Sequence, residues 1–181
     1  HHVPIFFFDY YGNFTGTLYP RDSLLSGRLR VSQAQHYLKP AWRMKLARVF
    51  VEAAAYNILR VLKYYQTRQS GEDQIRLQAG IERIEMLRGQ LDVMKEVPAL
   101  MGIEGNIRDT YYSLWPAILG QGITERFPFD KRERNPPSNE LNALISFGNA
   151  LCYGSVLRQI YRTALDPTIS YLHEPGDRRF S

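Results

Sequence analysis

Residues 40–62 read PAWRMKLARVFVEAAAYNILRVL, and the spacing of their apolar side chains decides the fold class. Trp42, Leu46, Val49, Ala53, Ala54, Ile58 and Leu62 recur at helical intervals, which sets them along one face of a long helix. Pro40 can start that helix, because the first helical N–H groups have no partner in any case. The helical period already begins near Ser32 and returns downstream. Ile75, Leu77, Ile81, Ile84, Leu87 and Leu91 predict a second helix from residue 73 to about residue 97, with Gly71 separating the two. A third is expected from Pro98 to about residue 119. The tract 120–137 has the Gly, Pro and charge content of a loop, and a fourth helix opens at Ser138 and runs to about residue 164, before Asp166-Pro167. The remainder, through Pro175-Gly176, reads as turns.

Upstream the period is different. Residues 3–19 read as a β-hairpin, with the run Val3-Pro4-Ile5-Phe6-Phe7-Phe8, a turn around Tyr11-Gly12-Asn13, and a return strand from Phe14 to Tyr19. Two strands alone make a marginal, aggregation-prone sheet, so partner strands are expected to precede residue 1. The expected class is therefore mainly α, a helical domain over 21–181 preceded by a residual hairpin, 1–20, from a β-domain.

Bulk composition fits this class. At 181 residues, with 44% hydrophobic and 23% charged, the chain can bury one ordinary core. Its apolar runs are too short to span a bilayer, and no helix joins a bare apolar face to a continuous lysine face, so no membrane role is expected. Twelve Tyr, nine Phe and two Trp beside a net charge of +5 suit a polyanionic partner. The one cysteine, Cys152, has no disulfide partner in this chain, so it is expected to pack as a small hydrophobe in a reducing, cytoplasmic setting. His1-His2 precede the first strand without any charged-then-apolar leader, and there is no solenoid repeat, zinc-type Cys spacing, P-loop or nucleophile elbow.

Three segments carry candidate chemistry. In Leu100-Met-Gly-Ile-Glu-Gly-Asn-Ile-Arg108 two glycines interrupt a helix, each costing about 1 kcal/mol against alanine. One reading is a close helix crossing at Gly102 and Gly105, with Glu104 pairing Arg108 at the surface. The other makes Glu104 a metal ligand, with Arg108 and Tyr112 one and two turns on to meet a phosphate or base. In the fourth helix Asn142, Ser146, Asn149 and Tyr153 form a polar stripe in an apolar segment. Buried polar groups need partners, so the stripe is either a hydrogen-bonded interhelical network or the wall of a polar site. His173, in Tyr171-Leu-His-Glu-Pro-Gly176, sits where Pro175 favours extended backbone, and a neutral loop imidazole can bind a metal. His36, by contrast, has no carboxylates around it and reads as structural or exposed. Basic residues cluster over 21–30, at Lys131, Arg132 and Arg134, and at Arg178-Arg179; brought together, the last two clusters would form a phosphate-binding rim.

In this order the three blocks resemble the CRISPR-associated integrase, the endonuclease of spacer acquisition, over essentially the whole chain. The residues that carry the resemblance are Leu100 to Arg108; Asn135-Pro136-Pro137 with residues 142–154; and Tyr171 to Gly176 with Arg178, Arg179, Phe180 and Ser181. The resemblance implies metal-dependent insertion of spacer DNA into a CRISPR array, with Mg²⁺ or Mn²⁺ held by Glu104, His173 and an aspartate a few residues after Ser181. It places Tyr153 near the active site, with Asn142 and Asn149 in the same block as expected DNA contacts, and a fragment lacking that aspartate is expected to bind metal weakly and show little activity. Arg108, Arg132 and Arg178 are the expected phosphate contacts. It also implies a homodimer acting with a small ferredoxin-like partner protein. The rival from another class is a non-catalytic helical DNA-binding or scaffold module in which Glu104 and His173 are structural.

Overall fold

The stretch that begins at Pro40 is a single helix of 27 residues, α2 (Pro40–Gln66), in a computed structural model that describes residues 5–10, 12, 14–18, 26–133 and 136–174. Its buried side is Ala47, Val51, Ala55, Leu59 and Leu62. The expected face is thus turned: Trp42 is 52% exposed and Val49 lies outside with it, leaving Leu62 as the one fully buried residue common to both faces. The physical reason is that α2 is apolar on more than one side, and periodicity fixes angles between side chains without choosing which side turns inward.

The chain is mainly α, with a two-stranded antiparallel hairpin among the described residues, and it divides into two compact units. The first consists of Ala41–Arg132. Here α3 (Gly71–Gly89) runs antiparallel to α2, tied by Arg88 to Glu52, by Lys63 to Glu85 at 2.6 Å and by Gln66 to Gln78 at 3.4 Å. Leu77, Gly80, Ile81, Ile84 and Leu87 are buried, whereas Ile75, expected on the same face, is 69% exposed. The second helix also stops early, because Gly89 ends it and a 3-10 turn, Leu91–Val93, follows. The expected third helix is two, α4 (Val97–Ser113) and α5 (Trp115–Leu119). Pro116 has no N–H to donate and its ring would strike the carbonyl four residues back, so the helix breaks at Leu114. Within the tract expected to be loop, α6 (Gln121–Arg126) forms after Gly120, whose φ of 77° few other residues adopt.

Close helix approach occurs at Gly80. A methyl group there would lie 2.2 Å from Cδ1 of buried Leu114, so α3 meets the α4–α5 junction through a bare backbone. Gly102 and Gly105 do not do this: among the described residues nothing lies within 4 Å of a side chain added at either, which removes the crossing explanation for them.

The second unit contains His1–Pro40 and Glu133–Ser181. Strand β1 (Ile5–Phe8) pairs antiparallel with β2 (Phe14–Leu18), from Ile5 opposite Leu18 to Phe8 opposite Phe14, with an irregularity between Phe7 and Phe8. This is the expected hairpin, and it packs on α7 (Glu140–Tyr161), where buried Gly154 leaves room for the rings of Phe6 and Phe8. Helix α1 (Gly27–Leu38) starts before the expected change of period, with the Ser26 side chain accepting from the Leu29 N–H. His36 donates from Nδ1 to the Ser32 carbonyl within that helix at 2.7 Å, a structural role. Cys152 is exposed on α7 instead of packed, because it lies off the side of the helix that holds Gly154 and Leu157. No helix among the described residues is long and apolar enough to cross a membrane.

Candidate functional site

Helix α4 carries Glu104, Arg108 and Tyr112 at successive i to i+4 positions along the flank of the strip Leu100, Ile103 and Ile107, which is committed to the core. Arg108 donates to one carboxylate oxygen of Glu104 at 3.0 Å, and both side chains are partly shielded from solvent. The pair of the first reading therefore exists, part-buried, while among the described residues nothing lies within 4 Å of a side chain added at Gly102 or Gly105. Tyr112 stands at the start of an aromatic group, with ring centroids 5.7 Å from Trp115 and 6.4 Å from Phe129.

On α7 the polar stripe separates into different roles. Asn142 is completely buried, its Oδ1 accepting from the Glu133 N–H at 2.9 Å while its Nδ2 donates to Ser138 at 3.2 Å. Its backbone N–H in turn is capped by the Asn139 side chain at 2.9 Å. This fits the network reading: a side chain with 0% exposure ties residue 133 to the start of α7. Asn149 is exposed, and Ser146 lies between these extremes. Tyr153 packs its ring on Phe14 at 5.5 Å, and partial burial pushes its phenol above the ordinary tyrosine value, so it stays a neutral donor at physiological pH.

His173 lies in a segment with no regular structure from residue 165 to residue 174. Its backbone N–H donates to Ser170 Oγ at 3.2 Å, and the residue is exposed. The segment is fastened by α1. Gln33 donates to the Asp166 carbonyl at 2.8 Å and accepts from the Asp166 N–H at 2.9 Å; Tyr171 donates to the Gln33 carbonyl at 3.3 Å. Tyr37 donates to the Glu174 carboxylate at 2.6 Å. The sequence carried little signal for this, since Gln33 and Tyr37 are uncharged residues one helical turn apart with partners over 130 positions away.

Lys131 is exposed and Arg132 half-buried at the end of the first unit. Arg134, Arg178 and Arg179 lie outside the described residues, as do Asn135, Arg21 of the first basic cluster, and the last block after Glu174. Glu104 belongs to one compact unit and His173 to the other. A hard carboxylate oxygen and a neutral imidazole nitrogen suit a small divalent ion in kind. Arg108 engages one oxygen of Glu104, and among the described residues no side chain hydrogen-bonds its other oxygen or the His173 imidazole. Among the described residues, no three or more His, Cys, Asp or Glu come together as a group that could hold a metal ion.

The sequence matches the family described as CRISPR associated protein Cas1 over residues 1–181. The chain belongs to the Cas1 family. Its relatives include a CRISPR-associated endonuclease Cas1 of Fusobacterium nucleatum subsp. nucleatum, 48% identical over 99% of this chain and 50% of the relative. A solved Cas1 protein from Thermotoga maritima superposes with a TM-score of 0.82 at 42% identity, covering 98% of this chain and 53% of that one. A casposase bound to integration product reaches a TM-score of 0.80 at 20% identity over 99% of this chain and 48% of that one, a likeness of fold. The chain spans about half the length of the curated Cas1 relatives it matches.

Proposed function

We propose that this chain supplies the helical part of the active site of a metal-dependent DNA endonuclease and integrase that inserts spacer DNA into a CRISPR array. The observation that carries the reading is Glu104: a largely shielded carboxylate, oriented by Arg108 and set in sequence between two helix glycines that meet no described neighbour, in a Cas1 chain whose relatives are named endonucleases. Glu104 and His173 would hold Mg²⁺ or Mn²⁺ together with further donors outside the described residues. When bound, that ion would stabilise charge on the scissile phosphate.

The chain's own residues have separable tasks. Arg108, once a phosphate approaches the glycine-lined side of α4, can share its guanidinium between Glu104 and a phosphate oxygen, while Lys131 and Arg132 contribute positive charge for the backbone. Arg134, Arg178 and Arg179 would extend that rim. Tyr112 offers a ring edge next to Arg108, and Asn149 an exposed amide, to the nucleic acid. Tyr153, held neutral by burial, can donate a hydrogen bond from its hydroxyl to an oxygen of the reacting strand. In the reaction, an oxygen of water or of a DNA 3′-hydroxyl forms a new bond to phosphorus and loses its proton, the old P–O bond breaks, and the departing oxygen gains a proton. Water as attacker gives nicking and a 3′-hydroxyl gives integration. A homodimer acting with a small ferredoxin-like protein is the proposed working assembly.

The test is cleavage of branched DNA by the full-length protein with Mn²⁺. Glu104→Ala should reduce cutting to background while leaving thermal stability nearly unchanged. Undiminished cutting by that variant would remove Glu104 from the site.

A further inference from the structure

We infer that Gln33 and Tyr37, one turn apart on α1, are positioning residues for His173. The inference rests on the ligand reading above and concerns how the ligand is held. The backbone of residues 165–174 has neither a helix nor a strand ladder to fix it. Its internal bonds are short-range: Asp166 accepts from both the N–H and the hydroxyl of Thr168, at 2.9 and 2.6 Å, and Ser170 accepts from the His173 N–H. Those bonds shape the turns without tying them to anything else.

The ties come from one side of α1. Gln33 is only 7% exposed, an uncommon place for a glutamine unless both ends of its amide are used. Both are: its NH₂ and C=O pair with the C=O and N–H of Asp166, the same two-point pattern by which one strand reads another. Tyr171, two residues before His173, adds a bond to the main-chain carbonyl of Gln33, which does not depend on the Gln33 side chain. Tyr37 then holds Glu174, one residue after it. His173 is therefore bracketed, with anchors at 166 and 171 on one side and 174 on the other. Its imidazole is left without a hydrogen-bonding side chain among the described residues, so these anchors act on its backbone. A metal ligand whose backbone wanders loses affinity much as one whose outer hydrogen bond is removed, typically about 10- to 100-fold.

The test uses full-length protein and two readouts. Hydrogen exchange of peptides spanning 164–174 reports anchoring without metal, and Mn²⁺ binding reports its consequence for the ligand. Gln33→Ala should speed exchange in that segment while leaving α2 to α4 protected, and should weaken Mn²⁺ binding by about 10-fold or more. In a His173→Ala background the same change should cost Mn²⁺ binding nothing further. Tyr37→Phe, a milder variant that keeps the ring, should show both effects at smaller size and covers the case in which Gln33→Ala does not fold. Unchanged exchange at 164–174 in both variants would overturn the inference. So would faster exchange with unaltered Mn²⁺ affinity, or an equal loss of affinity with and without His173. If His173→Ala itself left Mn²⁺ binding intact, the ligand reading would fail and this inference with it, a result distinct from unchanged exchange.

Discussion

The two proposed ligands are held by different physics. Glu104 sits mid-way along a helix of 17 residues whose core-facing side, Leu100, Ile103 and Ile107, is buried, so its backbone is fixed by the hydrogen-bond ladder and by core packing at once. His173 sits in irregular chain, positioned by a few side-chain bonds to α1. The contrast teaches that a donor on a packed helix and one on a tethered segment should respond differently to mutation. Damage to the core should unfold the surroundings of Glu104, whereas loss of an anchor should leave the fold and free His173.

The largest effect should come from the core beneath Glu104. Leu100→Ala removes a fully buried side chain and should cost about 2–5 kcal/mol, read as a lowered denaturant midpoint. A loss below about 1 kcal/mol would mean that α4 is not anchored as described. Next is the crossing at Gly80. Gly80→Ala forces Leu114 from its place and should cost about 1–3 kcal/mol. Pairing it with Leu114→Ala, which vacates that space, should make the two losses less than additive in thermal denaturation.

Smaller and opposite in sign is Gly102→Ala. The helix gains by up to about 1 kcal/mol from losing a glycine where no described neighbour is met. If the side of α4 that carries Gly102 receives DNA, the same variant should melt higher and cut more slowly. A higher melting temperature with unaltered cleavage would show that this side of α4 is unused.

The smallest effect concerns the tethered segment and depends on pH. Hydrogen bonds from Thr168 hold the Asp166 carboxyl below its ordinary value, so the folded state binds that proton more weakly than the unfolded state does. The resulting stability is present above the unfolded aspartate pKa, about 3.9, and is lost as pH falls through the lower folded value. Thr168→Val should therefore be less stable than wild type near neutral pH, and the gap should close below about pH 4 in urea titrations. A gap that persists unchanged into acid would deny Asp166 this role.

How much of this was legible in the sequence follows from the range of each interaction. The helices were readable because their signal is local: Leu77, Ile81, Ile84 and Leu87 repeat within a few turns, and they are buried as expected. The break at Leu114 was written in Pro116 but needed more weight than periodicity gave it. Which side of α2 faces inward was not legible, since Trp42 and Val51 are both apolar and only the packing of other elements chooses between them. The motif around Glu104 was legible as an oddity, two glycines where a helix should avoid them. Its alternative, a close crossing, fell to geometry alone. Asn142 was legible as a polar residue needing partners, though Ser138 and the Glu133 backbone were not foreseeable as those partners. The anchors of His173 were beyond reach, because nothing local in Gln33 or Tyr37 points to residues 166 and 174.

The central claim is that Glu104 and His173, from two compact units, serve one metal ion. Pulsed electron paramagnetic resonance of the full-length protein loaded with a single equivalent of Mn²⁺ tests this directly. The account predicts nitrogen modulation from a directly bound imidazole in the wild type, its disappearance in His173→Ala, and weakened Mn²⁺ binding in Glu104→Ala. Nitrogen modulation that survives in His173→Ala, or Mn²⁺ bound equally well without Glu104, would contradict it.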